Sequence, residues 1–354
     1  MDESAYGIID GAREGQTTKE MSEITIGGEP RSKWFGHFLL AALGAAYDTV
    51  RFPISGGAGT FTEGETITES TSSATGVLRR TDQSAGTPAL YIDPASGTFT
   101  GGQTLTGGTS GATATGGTII SPATGKYHIF RRLNNNTHPT FTIYNNDPLE
   151  DFRATFCMLD SLEFECVVGE FAKFTARFIG QAQASTSAQT PSYTAEDPFL
   201  AKHASFKIAA NHNSLDAATA TAIKRFKLTI TKSATDYTAF GSTSPTSIHN
   251  QRFDVKGDFT LIYNATTQRQ YLVNSTKEAL RLTIANTGAT AVSGSVYPTV
   301  QFDMPVCCFT SFDATDANDT LREQTLGFTA EYDITRALTL EAMMINTRLT
   351  TYGA

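Results

Sequence analysis

Two residues whose type and spacing could do chemistry are Glu163 and Glu165. They lie in the run 157–180, CMLDSLEFECVVGEFAKFTARFIG, where alternation places both on one face of a strand, about 7 Å apart. Two carboxylates at that separation could suit the acid and nucleophile of a glycosidase. A solvated sheet surface is the competing reading, because no aromatic platform for a sugar ring accompanies them. Glu170 completes an acidic trio without adding a ligand pattern.

Other chemistry is sparse. His37, His128, His138, His203, His212 and His249 are scattered, and His203 and His212, nine apart, have no Cys or acidic neighbour at metal-ligand spacing. Cys157, Cys166, Cys307 and Cys308 are too few and too irregular for a disulfide framework. A four-thiolate zinc site would need adjacent Cys307 and Cys308 as joint ligands, although neighbouring strand residues point to opposite faces. There is no phosphate-binding Gly-rich loop ending in Lys-Ser/Thr, no Gly-x-Ser-x-Gly elbow and no paired-histidine helix. No catalytic, cofactor-binding or metal residue is therefore assigned, and no cofactor is expected. The basic residues Lys224, Arg225 and Lys227, with Arg131 and Arg132, could meet phosphate or form ion pairs between subunits.

Composition narrows the class. Charged residues make up only 18% of the chain, below the roughly 25% usual for soluble domains, and the net charge is -8. That balance argues against a surface evolved to grip a phosphate backbone. No apolar run approaches the roughly 20 residues that span a bilayer. The N-terminus Met1-Asp2-Glu3-Ser4 lacks a secretory signal core, so synthesis in the cytoplasm is expected.

The elements that must position these residues are strands. In 157–180, Leu162, Phe164 and Cys166 form an apolar face against Ser161, Glu163 and Glu165. Phe171, Phe174, Ala176 and Phe178 make a second stripe beyond a turn at 168–170. Similar patterns recur at 127–130, 140–144, 223–230, 259–263, 280–284 and 326–332. One helix is expected over 32–44, SKWFGHFLLAALG, where Trp34, Phe35, Phe38, Leu39, Ala42 and Leu43 recur at helical spacing. Ser32 is its candidate cap and Gly44 its stop. The segment 196–210 reads equally as helix followed by strand, and 181–193, 236–251 and 313–320 read as loops.

Between 56 and 117 the composition turns to Gly, Thr, Ser and Ala, and a duplication emerges. Residues 59–68, GTFTEGETIT, return as 97–106, GTFTGGQTLT, and the tails 71–76 and 109–114 also match. The expected organisation is a β domain from 1–53 and 121–354, interrupted by a small, peripheral all-β insertion at 54–120. A disordered Gly/Thr linker is the alternative.

These elements together resemble the major tail-tube proteins of long-tailed bacteriophages with non-contractile tails. The resemblance rests on the helix WFGHFLLAALG at 34–44, the strand pair at 127–144, the strand pair at 157–180 and the strand near 326–332. It implies an all-β fold with a minor helix, a tail-tube β-sandwich or barrel-like domain whose subunits form hexameric rings stacked into a hollow conduit for DNA. Trp34, Phe38, Leu39, Leu162, Phe164, Cys166, Phe174 and Phe178 are then candidates for the sheet core and assembly layer. Glu163, Glu165, Lys224, Arg225 and Lys227 are candidates for the lumen or an interface. Tape-measure and tail-terminator or tip proteins are the partners the resemblance implies, with DNA passing transiently and the virion tail as location. A capsid-decoration or adhesin-like protein, supported by the repeat, is the alternative, followed by a carbohydrate-active β enzyme.

Overall fold

Alternation over many strands with a single short helix leaves two stacked sheets as the natural way to bury the apolar faces. The computed structural model describes residues 19–83, 88–119, 125–135, 137–263, 265–315 and 321–353. The N-terminal residues 1–4 and the 316–320 part of the expected loop lie outside these.

The chain opens with β1 (Met21–Gly28), helix α1 (Phe35–Leu43), β2 (Gly44–Ala58), β3 (Thr66–Glu69), β4 (Thr75–Asp82) and β5 (Ala89–Ser96). Next come β6 (Thr104–Gly107), β7 (Thr113–Gly116), β8 (Lys126–Arg132), β9 (Phe141–Asn145), β10 (Phe152–Val167), β11 (Lys173–Gln181) and β12 (Ala184–Ser185). The second half holds β13 (Ala204–Ala209), β14 (Ala220–Thr221), β15 (Arg225–Thr231), β16 (Thr235–Tyr237), β17 (Ser247–His249) and β18 (Asp254–Ile262). It closes with α2 (Thr267–Val273), β19 (Lys277–Ala285), β20 (Thr299–Ala314), β21 (Glu323–Ala330) and β22 (Glu341–Asn346).

One layer runs β1-β11-β10-β15-β18-β21, all antiparallel. The other runs β13-β19-β20-β22-β8-β2. Strand β20 belongs to both, pairing with β22 through residues 299–303 and with β21 through residues 307–314. Pro305 lies between those stretches, next to the bulge in the β19 ladder. Without an N–H to donate, proline is suited to a point where pairing shifts. Between the layers Phe164 meets Phe302 with centroids 5.0 Å apart, and Phe206 meets Phe259 at 4.9 Å. The interior is a continuous apolar core.

Helix α1 plugs one end of the sandwich, with Trp34 and Phe38 against Phe174 and Phe35 against Phe164. Gly44 ends it at φ 92°, a left-handed conformation that suits glycine, and its N–H reaches the Leu40 carbonyl. Ser32 does not cap it. The Glu196 carboxylate accepts from the N–H groups of Lys33 at 2.8 Å and Trp34 at 3.1 Å, a long-range cap that local sequence cannot announce. At the other end, buried Lys232 donates to the Ala41 carbonyl at 2.8 Å. The 196–210 segment resolves into a short 3-10 turn at 201–203 and β13. Within 236–251, read as loop, β16 and β17 pair as a small hairpin.

The described residues of the Gly/Thr-rich segment form a folded unit rather than a loose linker. The far half of β2 joins β5, β4, β3, β6 and β7 in a closed six-stranded barrel. It has its own core, including Phe52, Ile67, Leu78, Ile92, Phe99 and Leu105. The two copies pack reciprocally. A Cβ on Gly59 would meet Ala112 at 3.1 Å, and one on Gly97 would meet Ala74 at 3.0 Å. Both glycines also have positive φ.

Two clusters of side chains stand out among the contacts that join this barrel to the sandwich. One is apolar, with Tyr91 set among Tyr127, Ile129, Val292, Met343 and Ile345. The other is ionic: Arg80 reaches Asp303 and, at 2.8 Å, Glu341, all three nearly fully buried. Arg131 holds Glu341 and Glu63, while Arg281 holds Asp303 at 2.6 Å and Asp216 at 2.6 Å. No described residue of 54–120 contributes to the main core. Replacing 54–120 with a short Gly/Ser linker is therefore expected to preserve the sandwich's β spectrum in circular dichroism. It also uncovers Tyr127, Ile129, Met343 and Ile345, so light scattering should show increased self-association. Loss of the β spectrum would make the segment integral to folding.

Candidate assembly surfaces

Strand alternation sets the outward face of the first layer. On β10, Leu162, Phe164 and Cys166 are buried, which turns Glu163 and Glu165 outward. In register, Glu165 stands opposite Lys227 and Val167 opposite Arg225 on β15. The charges close into pairs: Lys227 with Glu163 at 2.8 Å, Arg225 Nε with Glu165 at 2.7 Å, and Arg225 with Asp258 of β18 at 2.7 Å. Lys224 pairs with Glu323 of β21, and Arg177 of β11 with Glu23 at 2.8 Å. Burial pushes the Asp258 carboxyl up, opposed by Arg225 and Lys227. Acids on β1, β10, β18 and β21 are thus matched by bases on or beside β11 and β15. A glycosidase needs one carboxyl held protonated and the other free to attack. Here each glutamate instead forms an ion pair with its own cation on an adjacent strand.

The eight residues expected in a sheet core all occupy the subunit's interior. Leu39, Leu162, Phe164, Cys166, Phe174, Phe178 and Phe38 are buried, and Trp34 packs half-buried beside them. They face the second layer and α1 of the same chain. Cys157, Cys166 and Cys307 are buried free thiols, and Cys308 is half-buried on the opposite face from Cys307.

Three features are available to other molecules. The outer edge of β1 has no ladder partner among the described residues. Unpaired edge N–H and C=O groups are a template for another strand. The β9-β10 hairpin, with β12 on its far side, ends in a tip at 146–151 where Leu149 is 96% exposed. The β16-β17 hairpin carries Phe240, fully exposed. Sequence patterning missed both hairpin tips, since single apolar residues in polar loops give no periodicity. It missed the ionic knot for a related reason: Glu63, Arg80, Arg131, Asp216, Arg281, Asp303 and Glu341 lie far apart along the chain.

A bare strand edge, a charge-matched sheet face and exposed apolar tips define a class, that of an all-β subunit that meets other protein chains. The phage tail tube protein family matches over residues 10–330, and the chain belongs to that family. No curated protein matches the chain. Family membership makes it a structural, tube-forming subunit of the virion tail and not an enzyme. Among the described residues no cluster of His, Cys, Asp or Glu could hold a metal ion.

Proposed function

We propose that this subunit forms hexameric rings stacked into a tube, with the outward face of the β1-β11-β10-β15-β18-β21 layer lining the DNA channel. The observation that carries the reading is that face itself. It is six strands wide, most of its charges are held in local ion pairs, and it ends at the unpartnered edge of β1. Continuing the sheet into a neighbour would satisfy that edge, and a heterologous contact that closes gives a ring. A wall with no surplus positive charge lets a phosphate backbone pass without trapping it. The β9-β10 hairpin supplies the bridge between rings. Tape-measure and tail-terminator or tip proteins are the further partners, and the host cytoplasm is the site of synthesis.

Glu163→Lys with Glu165→Lys tests the lining. The double change adds about twelve lysines to each hexameric ring, leaves Lys227 without Glu163 and leaves Arg225 with Asp258 alone. Normal tubes by electron microscopy, with DNA delivery that is slowed at low salt and recovers as salt rises, are expected. Failed assembly would assign the glutamates to an interface. Normal tubes with normal delivery at every salt would place them on the outer surface.

A further inference from the structure

The C-terminal end of α1 is held by donors of two kinds. The Gly44 N–H reaches the Leu40 carbonyl and the Leu133 N–H donates to the Leu43 carbonyl at 2.8 Å, both as neutral amides. The third donor is Lys232 Nζ, 2.8 Å from the Ala41 carbonyl, and it can titrate. Lys232 follows β15 and is 2% exposed, so stem and head both lie inside the subunit. Lysine is almost never buried this fully unless it is paired. An ammonium has three N–H groups to place, and the Ala41 carbonyl is the one acceptor that Nζ reaches among the described residues. A neutral amine has no charge to strip of water and fewer donors to satisfy.

The charges that face it come from each element packed there. Arg132, at the end of β8, is a permanent cation and opposes a second one. Asp160 of β10 favours the ammonium, but its carboxylate is already engaged by Arg177 of β11 at 3.1 Å and by the Ala234 N–H at 2.9 Å. His138 packs against Gly44 and donates to the Leu133 carbonyl at 2.9 Å. Burial first, and Lys232 next, hold His138 down to about 4, so it stays uncharged near neutrality. His37, the titratable group on α1 itself, faces Arg348 and Tyr352 instead. Burial, aided by Arg132, brings Lys232 from the ordinary 10.5 down to about 7.

We propose that Lys232 is a pH-sensitive latch on α1: as a neutral amine it stays buried against the Ala41 carbonyl, and on protonation it leaves for water and frees that end of the helix. The plugged end of the sandwich then loosens on mild acidification, while the barrel joint, whose Glu341 is held down to about 2, stays shut. The latch works within one subunit, with or without rings.

Linkage fixes the sign. Between the folded and unfolded values the unfolded chain carries a proton on Lys232 that the folded protein does not, so stability rises with pH across that window and the gain is lost below it. Lys232→Met removes the titration and keeps the apolar stem. In urea denaturation over a pH series, the folding constant of the wild type relative to Lys232→Met is expected to rise about tenfold per pH unit from about 7.5 to 9.5 and to be level below about 6.5. Lys232→Arg, which cannot discharge, should fall further behind the wild type over the same rise. Amide hydrogen exchange reads the latch locally. Protection at Gly44 and Leu133, corrected for intrinsic rates, should drop between about pH 8 and about pH 6 in the wild type and stay constant in Lys232→Met. NMR of isotopically labelled lysines should show one that titrates near neutrality and vanishes in Lys232→Met. A folding-constant ratio that is flat with pH, unchanged protection, or a Lys232 that titrates at the ordinary lysine value would overturn the latch. Should Lys232→Met not fold, the wild-type exchange and NMR titrations still decide.

Discussion

Arg80→Ala is expected to destabilise the protein by about 3–5 kcal/mol, the usual result of removing one partner from a buried ion pair. Arg80 contacts two carboxylates, Asp303 and Glu341, each about 1% exposed. Without it both stay buried under the small barrel with less positive charge to balance them. Arg80→Met with Asp303→Asn and Glu341→Gln should recover most of the loss, because Arg131 keeps Glu63 and Arg281 keeps Asp216. Urea denaturation gives both numbers. Acid provides a second check. Burial alone would raise the Glu341 carboxyl, but the Arg131 and Arg80 guanidiniums hold it down to about 2, and Asp303 is likewise held well below the ordinary value. Carboxyls depressed in the folded state contribute stability above their unfolded values, and it is lost as pH falls through the folded ones. The gap between wild type and Arg80→Ala should therefore narrow on acidification. A gap that stays constant from neutral pH to pH about 3 would show that the carboxylates do not carry the effect.

Phe164→Asp is expected to leave no folded subunit. Phe164 is 1% exposed, between Phe35 of α1 and Phe302 of the opposite layer. Losing a buried phenylalanine costs about 3–5 kcal/mol, and an unpaired carboxylate in the same place adds several more. The sum rivals the roughly 5–15 kcal/mol that holds a typical domain together. Sequence reading leaves open whether Phe164 faces a layer shared between neighbours. Its observed contacts are within the chain, so the β spectrum should vanish along with the tubes. A native spectrum without tubes would return Phe164 to an intersubunit layer. Phe164→Leu, which keeps most of the apolar volume, should fold with a smaller loss.

The strands around Glu163 and Glu165 were legible because one face of each is apolar and the other wet. α1 was legible for similar reasons, its apolar spacing closing on Gly44, and the duplication is visible as literal repetition. β20 was not. Its first half alternates Val300, Phe302 and Met304 with Gln301 and Asp303, the signature of a half-exposed strand, yet Gln301 and Asp303 are buried. Alternation separates two faces, but it does not say whether the polar one meets water or another lobe. Glu341 on β22 is hidden for the same reason. The charged pairs among Glu163, Glu165, Arg225 and Lys227 required register, which depends on how distant strands align rather than on either strand alone.

The duplicated barrel has outgrown its own symmetry. Equivalent positions in the two copies present equivalent backbone donors, Thr62 and Thr100, and equivalent serines, Ser72 and Ser110, but both carboxylates that bind them come from the first copy. Glu65 accepts from Thr62 at 2.7 Å and from Ser110 at 2.9 Å, while Glu69 accepts from Thr100 at 2.7 Å and binds Ser72. The second copy has Gln103 and Gly107 where the first has Glu65 and Glu69, and a side chain at Gly107 would strike the Glu65 carboxylate at 2.6 Å. Ancestry here has become division of labour: one copy supplies the acids and the other yields the space. Two second copies would lack the clamp, two first copies would collide, and a lineage that reached this arrangement has no simple route back to interchangeable units.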